Sequence, residues 1–255
     1  MKNAQFNYPG VSCQCITYKR ADFLEEAIES FLKQDYPGPK ELIILNDDEE
    51  QTLHFNHPEI KIFNIKERFS TIGEKRNESV KLSKYDLLMP WDDDDIYLPH
   101  KISFCVEKLK SQGLEYYNLN QGFYFSMSEK IIDLVANLFH ANSTYTRKLF
   151  NKIEGYSKLN VGEDMDFEHK LMQITSDFLV ENFHKNEKIT KQNTTYFYRW
   201  GGVSHHLSSS KNKNALEEVK KYRSITEKRK GDIYLKPHWK EDYIELAKKY
   251  YEKFT

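Results

Sequence analysis

Apolar positions in the first hundred residues come in two alternating rhythms. Short apolar runs at 11–18 (VSCQCITY), 41–45 (ELIIL), 60–65 (IKIFNI) and 85–90 (YDLLMP) read as strands. The unbroken LIIL core suits a strand covered on both faces. Between the first two runs, residues 21–34 set Phe23, Leu24, Ala27, Ile28, Phe31 and Leu32 at helical spacing, and DYPGP then stops the helix. Residues 71–83 form a second helical pattern. Alternating strand and helix predict a mostly parallel α/β sheet with right-handed crossovers.

The pattern is less regular afterwards. Residues 98–112 are amphipathic, with Pro99 near the start of a helix. EYYNLN and GFYFSM read as strands, and Asn120–Gly122 between them suits a hairpin turn. Residues 144–156 read as strand into short helix, 162–174 as a helix with acids favoured at its N-terminus, and 194–200 as an alternating aromatic strand. Two helical stretches, about 214–230 and 238–253, close the chain. There is no internal repeat.

Charge changes the picture in one place. The 255 residues carry a net −1, which predicts no strong nonspecific attraction to nucleic acid or anionic membrane. Residues 211–255 hold 13 basic and 8 acidic residues, so a basic tail follows an acidic body. The expected organisation is a main domain over 1–210 and a helical basic extension over 211–255. Cys13, Cys15 and Cys105 form neither a disulfide framework nor a zinc pattern and read as buried small hydrophobes. No stretch is apolar enough to span a bilayer, and MKNAQFNYPG lacks a signal-peptide core. A soluble, cytoplasmic protein is expected.

Candidate chemistry collects where strands end. Ligands of open α/β sheets bind beyond the carboxyl ends of the strands. Thr17 and Tyr18 end the first strand, Asn46, Asp47 and Asp48 follow the second, and Asp92–Asp95 follow the fourth. Two carboxylates about 4 Å apart repel by roughly 4 kcal/mol at an effective dielectric near 20. Either the run is a solvated acidic turn, or a divalent cation relieves it. Hard oxygen ligands suit Mg²⁺ or Mn²⁺. A Ca²⁺ loop is excluded, because no register puts the required oxygen ligand and Gly at its fifth and sixth positions. An extended backbone would point Asp92 and Asp94 to one side and Asp93 and Asp95 to the other, with Asp95 helping to begin the next helix.

Four blocks in order give a family resemblance: residues 11–47, 70–102 (containing MPWDDDDIYLP), 142–171 (containing the Glu163–Asp164 pair) and 196–208 (YFYRWGGVSHHLS). Together they resemble glycosyltransferase family 2, the inverting nucleotide-sugar enzymes with a GT-A fold. The resemblance implies a Rossmann-like, mostly parallel central sheet flanked by helices, a small antiparallel acceptor-side part and a helical C-terminal tail, with residues 1–100 as the nucleotide-binding half and 101–210 as the acceptor-binding half of one glycosyltransferase domain. It implies metal-dependent transfer from a nucleoside-diphosphate sugar, a UDP-sugar first, to an acceptor hydroxyl. The acceptor stays open between glycan, protein, lipid-linked sugar and modified nucleic acid.

Position by position, the resemblance implies that Thr17 and Tyr18 touch the nucleoside and that Asp47 meets the base edge. The family commonly has a second acid where this chain has Asn46, and Gly where it has Asp48. Arg76, with Lys75 as neighbour, falls near the base and diphosphate. Asp92 and Asp94 match the DxD acids, with Asp94 the first metal ligand and Asp93 toward the ribose. Asp164 matches the general base, which must lie across the sugar from the leaving diphosphate, and Glu163 orients the acceptor. Arg199, His205 and His206 match a loop that closes over the donor, with His205 as a further metal ligand. Trp91 shapes the sugar pocket or packs in the core. Two other readings remain: a nucleotidyl enzyme on a similar fold, against which the Gly-free ITYKRADF argues, and a nucleotide-sugar-binding module without transfer activity.

Overall fold

A computed structural model describes residues 8–127, 129–135, 137–174, 178–181, 194–200, 231–235, 239 and 241–252. The first half runs β1 (Val11–Thr17), α1 (Ala21–Leu32), β2 (Lys40–Asn46), β3 (Ile60–Asn64), α2 (Ile72–Leu82), β4 (Leu87–Pro90) and β5 (Ile96–Tyr97). Then come α3 (Lys101–Ser111), β6 (Tyr116–Leu119), β7 (Gly122–Ser126), β8 (Ile132–Val135), a 3-10 turn at His140–Asn142, β9 (Ser143–Thr146) and α4 (Arg147–Lys152). α5 (Glu163–Ile174), β10 (Phe178–Glu181), β11 (Tyr196–Trp200) and α6 (Tyr243–Glu252) complete the described chain. The helical stretch expected near 214–230 lies outside the described residues.

A seven-stranded sheet has the order β10-β6-β9-β4-β1-β2-β3 and is parallel except for β9, which runs antiparallel to both β4 and β6. The register aligns Val11 with both Lys40 and Leu87, and Thr17 with Asn46. The carboxyl ends of β1, β2 and β4 therefore share one edge. β1 and β2 are buried along almost their whole length, which is why they read as near-continuous apolar runs. α1 lays Phe23, Leu24, Ala27, Ile28 and Phe31 into the core, where the three free cysteines are also buried.

A second sheet, β5-β11-β7-β8, is antiparallel at β5–β11 and β7–β8 and parallel at β11–β7. This corrects the expected hairpin between β6 and β7, which lie in different sheets. The crossing point is held by Asn142, whose amide donates to the carbonyls of Leu119 (2.8 Å) and Gln121 (2.7 Å). Both carbonyls are thereby satisfied by a side chain, and the Leu119 carbonyl accepts the Gln121 N–H (2.6 Å) as well. α6 covers the second sheet with Tyr243, Ala247 and Tyr251. Among the described residues, no helix is long and apolar enough to cross a membrane.

One buried acid ties the far end of the sheet together. Glu41 accepts from the Ser12 hydroxyl (2.7 Å), the Lys84 N–H (2.5 Å) and the Lys61 ammonium (2.8 Å). Burial pushes its carboxyl up, but these three partners outweigh that and hold it below the usual carboxylate range. The stabilisation is thus present above the unfolded carboxyl's pKa and lost as pH falls through the lowered folded value. Glu41→Gln should cost about 1–3 kcal/mol at pH 7, and the difference from the parent should shrink toward pH 3. Thermal unfolding of both proteins across that range checks it, and a pH-independent difference would contradict it.

Candidate active site

A cleft of about 1020 Å³ opens at the carboxyl edge of the main sheet. Its walls come from the turn after β1 (Thr17–Arg20), from Asp47 after β2, from Asp92–Asp94 after β4, and from the first turns of α2 and α5. Lys19 has φ 57°, in the left-handed region that a non-glycine residue seldom adopts. That turn leads β1 into α1, and Tyr18 and Arg20 on either side of it both line the cleft.

The four aspartates do not alternate. A turn at Asp93–Asp94 breaks the period-two geometry an extended chain would have. Asp94 accepts from one Arg20 nitrogen at 2.6 Å, and Asp93 pairs with another at 3.2 Å. Asp92, 27% exposed, lies 3.5 Å from Arg76. Burial pushes the Asp93 carboxyl up to about 6, against the pull of the Arg20 guanidinium, and the Asp94 charge adds to the rise. Asp95 faces the other way. Its carboxylate accepts from the Tyr196 hydroxyl and from the Arg199 N–H (2.9 Å), so it pins the acidic turn to β11 rather than beginning α3. Among the described residues, no group of three or more His, Cys, Asp or Glu is arranged to hold a metal ion by itself.

The cations at the start of α2 are more deeply built than their sequence neighbourhood suggests. Lys75 is buried and donates to the Thr17 carbonyl (2.6 Å) and to Asp47, which also accepts the Phe69 N–H (3.2 Å). Burial lowers the Lys75 pKa, and the Asp47 charge opposes that shift. The Arg76 guanidinium reaches both Glu163 (Nε, 3.1 Å) and Asp92 (3.5 Å). A single planar group thus sets the spacing between the acidic turn and the start of α5. The Arg68 guanidinium lies 3.5 Å from the Tyr18 ring centroid, a cation–π contact in the cleft wall.

Also lining the cleft, α5 opens at Gly162, whose φ of 77° favours glycine. Glu163, Asp164 and Asp166 occupy the first turn, where the helix dipole favours negative charge. Asp164 is half-buried in the cleft, and its Oδ1 accepts the Met165 N–H (2.8 Å). One turn on, Glu168 is buried and accepts from His140 Nδ1 (2.7 Å), Ser143 Oγ (2.5 Å) and the Tyr116 hydroxyl. His140 Nε2 continues to the Tyr156 hydroxyl at 2.7 Å. This network fastens α5 to β6 and β9. α2 meets the same wall closely: a Cβ on Gly73 would sit 1.9 Å from the Ser157 carbonyl oxygen, so only glycine fits.

Thr17, Tyr18, Asp47, Lys75, Arg76, Asp92, Asp93, Asp94, Glu163 and Asp164 therefore converge on one cleft. Two expected residues do not. Trp91 is fully buried, stacked on Tyr97 at 3.9 Å, and donates from its indole to the Ala27 carbonyl (3.1 Å); its apolar ring is worth more in the core than at a wet cleft. Arg199 is buried beneath the acidic turn, where it pairs with Glu26 of α1 and donates to the Asp94 carbonyl. His205 and His206 lie outside the described residues. Sequence reasoning overlooked Arg20, Arg68 and Glu168. The signal for Arg20 was present, since four adjacent carboxylates need counter-charge and Lys19–Arg20 follow the neighbouring strand.

The Glycosyl transferase family 2 profile matches residues 12–161, more than half of the chain. No curated protein matches the chain by sequence. Among solved structures, S. aureus TarS residues 1–349 in complex with UDP-GlcNAc is similar at a TM-score of 0.62 and 14% identity, covering 93% of this chain and 70% of that one. The mannosyltransferase PcManGT from Pyrobaculum calidifontis, in complex with GDP-Man and Mn²⁺, is similar at 0.54 and 13% identity, covering 69% of this chain and 55% of that one. These likenesses agree with the observed fold, and the profile match carries the assignment: the chain is a glycosyltransferase and belongs to glycosyl transferase family 2.

Proposed function

We propose that the protein is a metal-dependent, inverting transferase that moves a sugar from a UDP-sugar to an acceptor hydroxyl, with Asp164 as general base. The observation that carries this reading is the Arg76 bridge, which reaches Asp92 of the acidic turn and Glu163, the neighbour of Asp164, within one cleft. An inverting displacement needs both groups of acids within reach of one sugar. The base works on one side of the anomeric carbon while the diphosphate leaves from the other.

On the donor side, Tyr18 with Arg68 offers a flat, cationic platform for a base, and Asp47 and Thr17 lie beside it for polar contacts. Lys75, Arg76 and Arg20 supply positive charge for a diphosphate. Asp92 and Asp94 are two hard oxygen donors in the wall, without a third protein ligand beside them among the described residues. That donor set fits Mn²⁺ or Mg²⁺ taking its remaining ligands from the diphosphate and water, and does not fit an all-protein cage. When bound, such an ion offsets charge on the leaving group. The UDP complex of the TarS fragment supports the choice of nucleotide.

The test is a melting experiment with Mn²⁺ alone, UDP alone and both together. At about 100-fold excess over Kd the pair should stabilise by roughly 2.7 kcal/mol, on the order of 5–10 °C for a chain of this size. Neither alone should match it, because the ion needs the diphosphate to complete its shell. No stabilisation by UDP with any divalent ion would sink the reading.

A further inference from the structure

The Arg20 guanidinium spans two of the four aspartates. One nitrogen donates to Asp94 Oδ2 at 2.6 Å, and another pairs with Asp93 Oδ1 at 3.2 Å. All three side chains are largely buried, with Arg20 15%, Asp94 13% and Asp93 2% exposed. Both ends of the contact are anchored. The Arg20 carbonyl accepts the Phe23 and Leu24 N–H groups (3.0 Å each) and so opens α1, while the Arg199 N–H fixes the acidic turn through Asp95 (2.9 Å). Arg76 is placed differently. It lies 3.5 Å from Asp92 and is held more closely by Glu163, at 3.1 Å.

The pairing is close at Asp94 and incomplete elsewhere. Arg20 Nε and Asp93 Oδ2 are buried with no hydrogen-bond partner among the described residues. A buried donor left unbonded is costly, and the oxygens of a diphosphate would satisfy the planar fork of guanidinium donors more fully. At Asp94 the geometry sets up a competition. A divalent cation and the guanidinium need the same carboxylate, and the two positive groups repel each other when both are near it. Lys19, the preceding residue in the same cleft, pairs instead with Glu50 (3.1 Å) and Asp48 (3.9 Å).

We infer that Arg20 orders donor binding: it competes with the divalent cation for Asp94, and yields that carboxylate when the diphosphate of the nucleotide draws the guanidinium away. This rests on the proposed function, in which Asp94 is a metal ligand and the cleft takes a nucleoside diphosphate. Removing the guanidinium then acts with opposite sign on the two ligands. Asp94 becomes open to a cation before any nucleotide is present, and a nucleotide without a cation loses a counter-charge. Each ligand raises the affinity of the other, and part of that coupling passes through Arg20. A role confined to stabilising the turn would instead weaken the binding of both.

The experiment measures each ligand separately on the full chain: Mn²⁺ alone, from the paramagnetic resonance signal of the free ion, and UDP alone with chelator present, by calorimetry. Arg20→Gln should bind Mn²⁺ about tenfold more tightly than the parent and UDP about tenfold more weakly, within the usual range of coupling between two sites. Lys19→Gln removes a neighbouring positive charge that does not hold Asp94, and should leave both affinities within about threefold. Should Arg20→Gln not fold, Arg20→Gln/Asp93→Asn leaves no buried acid unpaired and should still bind Mn²⁺ alone more tightly than the parent. Mn²⁺ bound no more tightly without Arg20, an equal gain in Lys19→Gln, or UDP bound as tightly without Arg20 would overturn the inference, provided that the parent binds UDP and Mn²⁺ together. A parent that binds no UDP with Mn²⁺ would instead remove the donor reading, and this inference with it.

Discussion

Asp164→Asn should lower transfer by about 10²–10⁴-fold, the range a positioned general base contributes, while UDP and Mn²⁺ bind within about twofold of the parent. The two halves of this expectation come from different elements of the cleft. Asp164 stands in the first turn of α5, where its Oδ1 accepts the Met165 N–H, and the groups proposed to meet the nucleotide lie at the strand ends. An amide keeps that hydrogen bond and the shape of the turn, but it cannot take a proton from an attacking hydroxyl. Donor binding should therefore persist while the chemical step fails. Single-turnover transfer and calorimetry of the UDP complex, read together, check this. Transfer retained within tenfold would mean that another group is the base, and Glu163 would be the next candidate to vary.

The second large effect falls on stability. Arg199→Met should destabilise the protein by about 3–5 kcal/mol, as happens when one partner of a buried ion pair is removed, lowering Tm by roughly 6–20 °C. The Arg199 side chain is 1% exposed and faces Glu26, 4% exposed, on α1. Burial pulls the guanidinium pKa down, but the Glu26 carboxylate and the Tyr243 hydroxyl outweigh it and hold it above the usual arginine value. Adding Glu26→Gln should recover most of the loss, because a neutral amide no longer needs the cation. The same guanidinium donates to the Asp94 carbonyl. The single variant should accordingly weaken UDP–Mn²⁺ binding as well as melting lower. A single variant as stable as the parent would show that the pair contributes nothing net.

Much of the cleft at the strand ends was legible from residue order alone. LIIL and LLM are buried strands because their side chains are apolar, VSCQCIT is buried with its Ser12 hydroxyl and Gln14 amide bonded inside the protein, and the polar residues that follow each one fall at the edge where the parallel strands all end. Thr17, Asp47 and Asp92 could be placed together on that ground. Gly-rich and Pro-rich stops, the Thr71 N-cap that accepts the Glu74 N–H (3.1 Å), and the acidic first turn of α5 are likewise local chemistry.

What the sequence by itself determined about this protein is the alternation of strands and helices, the edge at which the acids gather, and the family whose blocks they form. The tertiary structure decided which acid faces what. A period-two reading put Asp93 opposite Asp94, yet both pair with Arg20, 73 and 74 positions away along the chain, because a turn replaces the extended backbone there. It also decided that Trp91 and Arg199 belong beneath the site rather than in it, and that β6 and β7 part into two sheets. The physical reason is the same in each case. Backbone rhythm is set by neighbours within a few residues, whereas burying a charge or an indole is favourable only beside a partner that the fold brings from far along the chain.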